Sequence, residues 1–69
     1  MPDSVYKIIE VVGSSPKSWE DAAAVAVRRA SSALRDLRIA EVTAQDIQIQ
    51  AGKIKAYRTK LKLSFKMEK

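Results

Sequence analysis

Side chains able to do covalent or acid–base chemistry are scarce in this 69-residue chain, and their spacing assembles no catalytic site. Histidine and cysteine are both absent. A Ser or Thr nucleophile needs an adjacent base, and the usual one is missing. The same absences remove the commonest zinc ligands and any disulfide. Glu20 and Asp21 are the only acids adjacent in sequence, and a carboxylate pair can move protons. Their place directly after Ser18, ahead of an alanine-rich run, is better explained as helix capping. Gly13 and Gly52 are the only glycines, too few for a loop that cradles phosphate. The sequence points away from an enzyme.

Binding chemistry is better represented. Trp19 is the sole tryptophan, and its ring can stack on a ligand or simply close the start of a helix over a sheet. Its position one residue past the cap, on the apolar side, favours packing. Tyr6 and Tyr57 read the same way. The net charge of +5 is concentrated late: Lys53, Lys55, Arg58, Lys60, Lys62, Lys66 and Lys69 stand against one acid, Glu68. Such a face can attract nucleic acid, a membrane surface or an anionic small molecule. It can equally be a solvated face that guards a sheet edge. Sheet faces that bind RNA carry aromatics on which bases stack, and Arg58, Lys60 and Lys62 have none between them. A nucleic-acid-binding module is therefore the remote alternative.

The elements that position these residues follow from periodicity. Val5–Val12 is β-branched and ends at Gly13, a first strand. Ser14–Lys17 is a turn by composition. Ser18 caps a helix whose apolar face runs Trp19, Ala22, Ala23, Ala26, Ala30, Ala33, Leu34 and Leu37 at spacings of three and four. Most of that face is alanine, so it buries little. Arg38–Gln50 has strand composition with a bend or bulge expected over Ala44–Asp46. Ala51-Gly52 reverses the chain. From Lys53 to Met67, Tyr57, Thr59, Leu61, Leu63, Phe65 and Met67 point inward, while Arg58, Lys60, Lys62, Ser64 and Lys66 point to water. The fold class is α+β: a single βαββ domain over residues 1–69, its three-stranded antiparallel or mixed sheet curled over one helix. A right-handed crossover through the helix is expected to lay the first strand beside the last.

A chain of this length makes a marginal core. With no disulfide or zinc site to help, self-association is the route left, and neighbouring copies must cover the sheet edges and the alanine-rich helix. No apolar run approaches the roughly 18 residues that cross a bilayer. Met1-Pro2-Asp3-Ser4 lacks the features of a secretion signal. A soluble, cytoplasmic protein without a membrane partner is expected.

Three segments resemble the dodecins, small flavoproteins built as βαββ subunits. They are Val5–Pro16, with its Gly-Ser-Ser-Pro turn; Ser18-Trp19-Glu20-Asp21-Ala22-Ala23-Ala24, followed by Arg28-Arg29-Ala30; and Ala40-Glu41-Val42 through Tyr57-Arg58-Thr59 to Leu63-Ser64-Phe65-Lys66-Met67. The resemblance spans nearly the whole chain. It implies a hollow homododecamer that binds and stores a small molecule, FMN or riboflavin, without turnover. In flavin-binding members, flavins stack between symmetry-related tryptophans, and a glutamine on the last strand hydrogen-bonds the ring edge. The tryptophan position is Ile39 here, beside Arg38, and the glutamine position is Arg58. Isoleucine offers no π-face, and arginine has no acceptor for the flavin ring N–H. Arg38, Ile39 and Arg58 are thus the candidate ligand-binding residues, with flavin affinity expected to be weakened. FMN is expected to lose less than riboflavin, because Arg38 or Arg58 can pair with its phosphate. The Ser-Trp-Glu segment and Phe-Lys-Met ending resemble a branch described as calcium dodecins, so a calcium-binding or purely structural dodecin is the alternative. Calcium takes six to eight oxygens. No compact acidic loop supplies them, so such a site has to combine carboxylates across subunits, and its metal ligands are not named by the sequence.

Overall fold

A computed structural model describes residues 3–67. Its elements are β1 (Tyr6–Ser15), α1 (Trp19–Ala33), β2 (Leu37–Gln50) and β3 (Lys53–Lys66). Strand β3 lies in the middle of a three-stranded sheet, with β1 and β2 antiparallel to it on either side. The first strand lies beside the last, as expected: β1 and β2, each antiparallel to β3, run parallel to one another, and the connection through α1 crosses over the central strand that is later inserted between them. Both β1 and β3 turn a period-two apolar row toward α1, and pairing them merges the rows.

β1 runs through Gly13, where the sequence reading ended it, and continues to Ser15 paired with Tyr57. Gly13 is there for clearance: a Cβ at this position would collide with the Ala22 carbonyl and meet the Ala26 Cβ at 3.0 Å. The missing side chain of Gly13 and the short ones of Ala22 and Ala26 bring α1 down onto the sheet. Ser18 caps α1, its hydroxyl accepting from the Asp21 amide at 3.0 Å, with Glu20 and Asp21 in the first turn. The helix stops at Ala33, earlier than the apolar spacing suggested. Leu34 is extended, with its N–H donating to the Ala30 carbonyl at 2.8 Å. Asp36 turns the chain at φ 62°, and Leu37 opens β2. Ala51 and Gly52, at φ 53° and 75°, form the two-residue reversal between β2 and β3.

The core is thin, as the alanine face implies. Leu61 and Leu63 from β3 and Ala26 from α1 form its centre, with Ile9, Val11, Ala23, Val27, Ala30 and Leu37 against them. Two buried hydroxyls tie the layers together. Thr59 donates to the Trp19 carbonyl at 2.8 Å. Ser15 donates to the Asp21 carboxylate at 2.6 Å and accepts from the Lys17 amide. Phe65 is half-buried, and Met67, expected to point inward, is exposed just past the end of β3.

No residue of β2 is buried. Val42, Ile47 and Ile49 keep 49%, 37% and 67% of their surface. On the other flank, an open groove of about 620 Å³ runs between β1 and α1, lined by Ile9, Val11, Val25, Ala30, Ala33 and Leu34. The molecule measures 53 × 20 × 14 Å, drawn out along its long hairpin. No helix of the described residues is long and apolar enough to cross a membrane.

Candidate ligand-facing site

The sheet has one face under α1 and one face open, and strand register sorts the candidate residues between them. Leu61 and Leu63 point to the helix, so Arg58, Lys60, Lys62, Ser64 and Lys66 point the other way. Across from them on β1 stand Ser14, Val12, Glu10, Ile8 and Tyr6. On β2, Glu41 is opposite Lys62 and Ile39 is opposite Ser64. A shift in register between Val42 and Ala44 then leaves Thr43 as an extra residue. Its hydroxyl donates to the Lys60 carbonyl at 3.2 Å. The bulge lies one residue before the bend read from the sequence, and it reverses the phase of β2. Beyond it the even-numbered residues face outward, which sets Asp46 opposite Arg58.

Arg58 and Asp46 form a two-pronged ion pair: Nε donates to Oδ1 and Nη2 to Oδ2, both at 2.7 Å. Lys60 Nζ stands 3.9 Å from the same carboxylate. Chiefly through the hydrogen bond from Arg58, Asp46 is held below the ordinary carboxylate range, and Arg58 is held above the usual guanidinium value. Arg38, the extra residue of the shift between Leu37 and Ile39, is also engaged, its Nε donating to Asp36 at 2.9 Å. Both arginines expected to meet a phosphate already hold a carboxylate. Neither Asp36 nor Asp46 was marked by the sequence reading. The only signal was that Asp46 closed the segment expected to bend.

Ile39 is 56% exposed and shares the open face with Arg58. Its partner Ser64 is six residues from Arg58 along β3, about 20 Å at roughly 3.3 Å per residue. Within one chain the two side chains are too far apart to meet at the same ring of a ligand. Trp19 is elsewhere. Its indole N–H donates to the Asp46 carbonyl at 3.0 Å, and its ring meets Tyr57 edge-on at 5.1 Å. It closes the helix start over the hairpin, the packing role its position suggested.

These residues can hold a ligand and offer no nucleophile–base pair. Ile39 offers no π-system, and the Arg58 guanidinium can only donate, two of its N–H groups going to Asp46. Among the described residues, no group of three or more His, Cys, Asp or Glu is placed to hold a metal ion.

Comparison with known proteins agrees with this architecture. The dodecin family model matches residues 5–68. The chain is 55% identical over 65 residues to the calcium dodecin of Mycobacterium tuberculosis, covering 93% of this chain and 90% of that one. The structure of dodecin from Streptomyces coelicolor superposes with a TM-score of 0.93 at 40% identity, covering 100% of this chain and 99% of that one. The crystal structure of the calcium-chelating M. tuberculosis calcium dodecin gives 0.83 at 53% identity, with 94% and 93% covered. In residues, strand order and family match alike, the chain belongs to the dodecin family.

Proposed function

We propose that this chain is the subunit of a closed homododecameric shell that binds and stores a small ligand without turning it over. The ligand would sit at sites completed between copies, and flavin affinity would be weaker than in dodecins that keep the stacking tryptophan and the glutamine. The observation that carries the reading is the strand with no buried residue: β2 runs 14 residues with Val42, Ile47 and Ile49 uncovered, and only another chain can cover them. The separation of Ile39 from Arg58 supports ligand sites shared between subunits. Native mass spectrometry and light scattering should find a particle of about twelve chains and no stable monomer. A folded monomer of 7.7 kDa overturns the proposal.

Calcium is the second reading of the same shell, and the identity to a calcium dodecin favours it. Without a three-acid group among the described residues, calcium here would take carboxylates from more than one copy. Calorimetric titration with calcium, beside absorbance of the purified particle for bound flavin, separates the two. A nucleic-acid role is disfavoured by the open face itself, where Arg58, Lys60, Lys62 and Lys66 are interleaved with Glu10, Glu41 and Asp46.

A further inference from the structure

The Asp46–Arg58 pair does more than fill a surface. Its geometry occupies the Nε–Nη2 edge of the guanidinium, one of the edges able to grip a phosphate or carboxylate with two parallel hydrogen bonds. The one negative charge of Asp46 is divided between Arg58, at 2.7 Å, and Lys60, at 3.9 Å. Both cations sit on the open face, and both depend on this one carboxylate. The Thr43 bulge decides that Asp46 lies on this face at all.

We propose that Asp46 is a positioning residue that sets ligand selectivity, closing the Arg58 position to phosphate-bearing ligands and leaving it suited to uncharged ones. The proposal rests on the reading of the open face as the ligand face. It reverses the preference for FMN over riboflavin that the unpaired arginines implied. Loss of the Asp46 charge leaves Arg58 and Lys60 side by side without an anion, which is an anion site created by deletion.

The experiment uses the assembled protein and two variants, Asp46→Asn, which keeps the shape, and Asp46→Glu, which restores the charge. Arg58 is labelled with phenylglyoxal, and its labelling rate is read by peptide mass spectrometry with and without millimolar inorganic phosphate. In the native protein phosphate should leave the rate unchanged. In Asp46→Asn, Arg58 should label faster, and phosphate should slow that labelling by about tenfold, the scale of one charge-assisted contact. Asp46→Glu should return to native behaviour, which a merely structural role for Asp46 does not predict. In a parallel titration the FMN-to-riboflavin affinity ratio should rise about tenfold in Asp46→Asn. Phosphate protection of native Arg58, or no protection in Asp46→Asn, overturns the proposal. If no variant binds either flavin, only the flavin reading of the shell falls, and the phosphate arm still decides the role of Asp46.

Discussion

Under the site assignment proposed above, isoleucine at position 39 and arginine at position 58 would each remove one half of a flavin contact. Aromatic stacking contributes about 0.5–1.5 kcal/mol beyond area burial, and an unpaired buried polar ring edge costs about 1–3 kcal/mol. Together they predict riboflavin binding weakened by about ten- to a thousandfold relative to dodecins that keep Trp and Gln. Flavin fluorescence quenching measures this directly. Ile39→Trp/Arg58→Gln should gain quenching and affinity together, and nanomolar binding by the native protein would contradict the assignment of these two positions. Removing Arg58 also frees Asp46, so that variant should be repeated with Asp46→Asn to separate the two effects. The pair has a pH signature of its own. Because the folded state holds Asp46 below its ordinary carboxylate value, its stabilising contribution is present at neutral pH and lost as pH falls through that lowered value. The difference in thermal midpoint between native protein and Asp46→Asn should be open at pH 7 and close below about pH 3.9, the unperturbed aspartate value. A gap that persists in acid would assign the effect to shape rather than charge.

Secondary elements were largely legible because each rests on local chemistry. The β-branched run of β1, the Ser18 cap and the alternation of β3 announce themselves in sequence, and the structure keeps all three. The errors occur where one element answers to another. Leu34 and Leu37 fit the helical spacing, yet Leu34 caps the helix in extended form and Leu37 packs on the core from β2. Gly13 reads as a strand end in isolation, but it answers to the Ala22 backbone. The Thr43 bulge, and with it the pairing of Asp46 and Arg58, depends on register against β3, which no local pattern encodes. The acids that stand among the basic residues of β3, Glu10, Glu41 and Asp46, come from β1 and β2, so strand pairing and not the run itself sets the charge of that face. Gly13 provides the test at this scale. Gly13→Ala should lift α1 from the sheet and destabilise the subunit by about 1–3 kcal/mol or more, the range for overpacked sites. Chemical denaturation of the two proteins at matched concentration checks it. A change below a few tenths of a kcal/mol would mean that the helix has room to shift.

At the scale of the molecule, the +5 charge is not concentrated on the open face of the sheet. On the open face four cations stand among three carboxylates. Affinity for RNA or DNA at physiological salt should therefore be no better than non-specific, roughly 10⁻⁴–10⁻⁶ M. A labelled-oligonucleotide titration reaching nanomolar binding would move nucleic acid from the remote alternative to first place. The strand order has a separate consequence. Because β3 is central and β1 runs against it, Tyr6 pairs with Lys66, so the start of β1 and the end of β3 meet at one end of the sheet, while the Ala51-Gly52 reversal joins β2 to β3. The fold is in effect a ring of elements cut at one point, and a short linker from β3 to β1 with a new break at Gly52 would move the cut without altering any strand neighbour. It would exchange the roles of the two edge strands in time: β1 would become the local hairpin partner of β3, and β2 the one recruited from a distance.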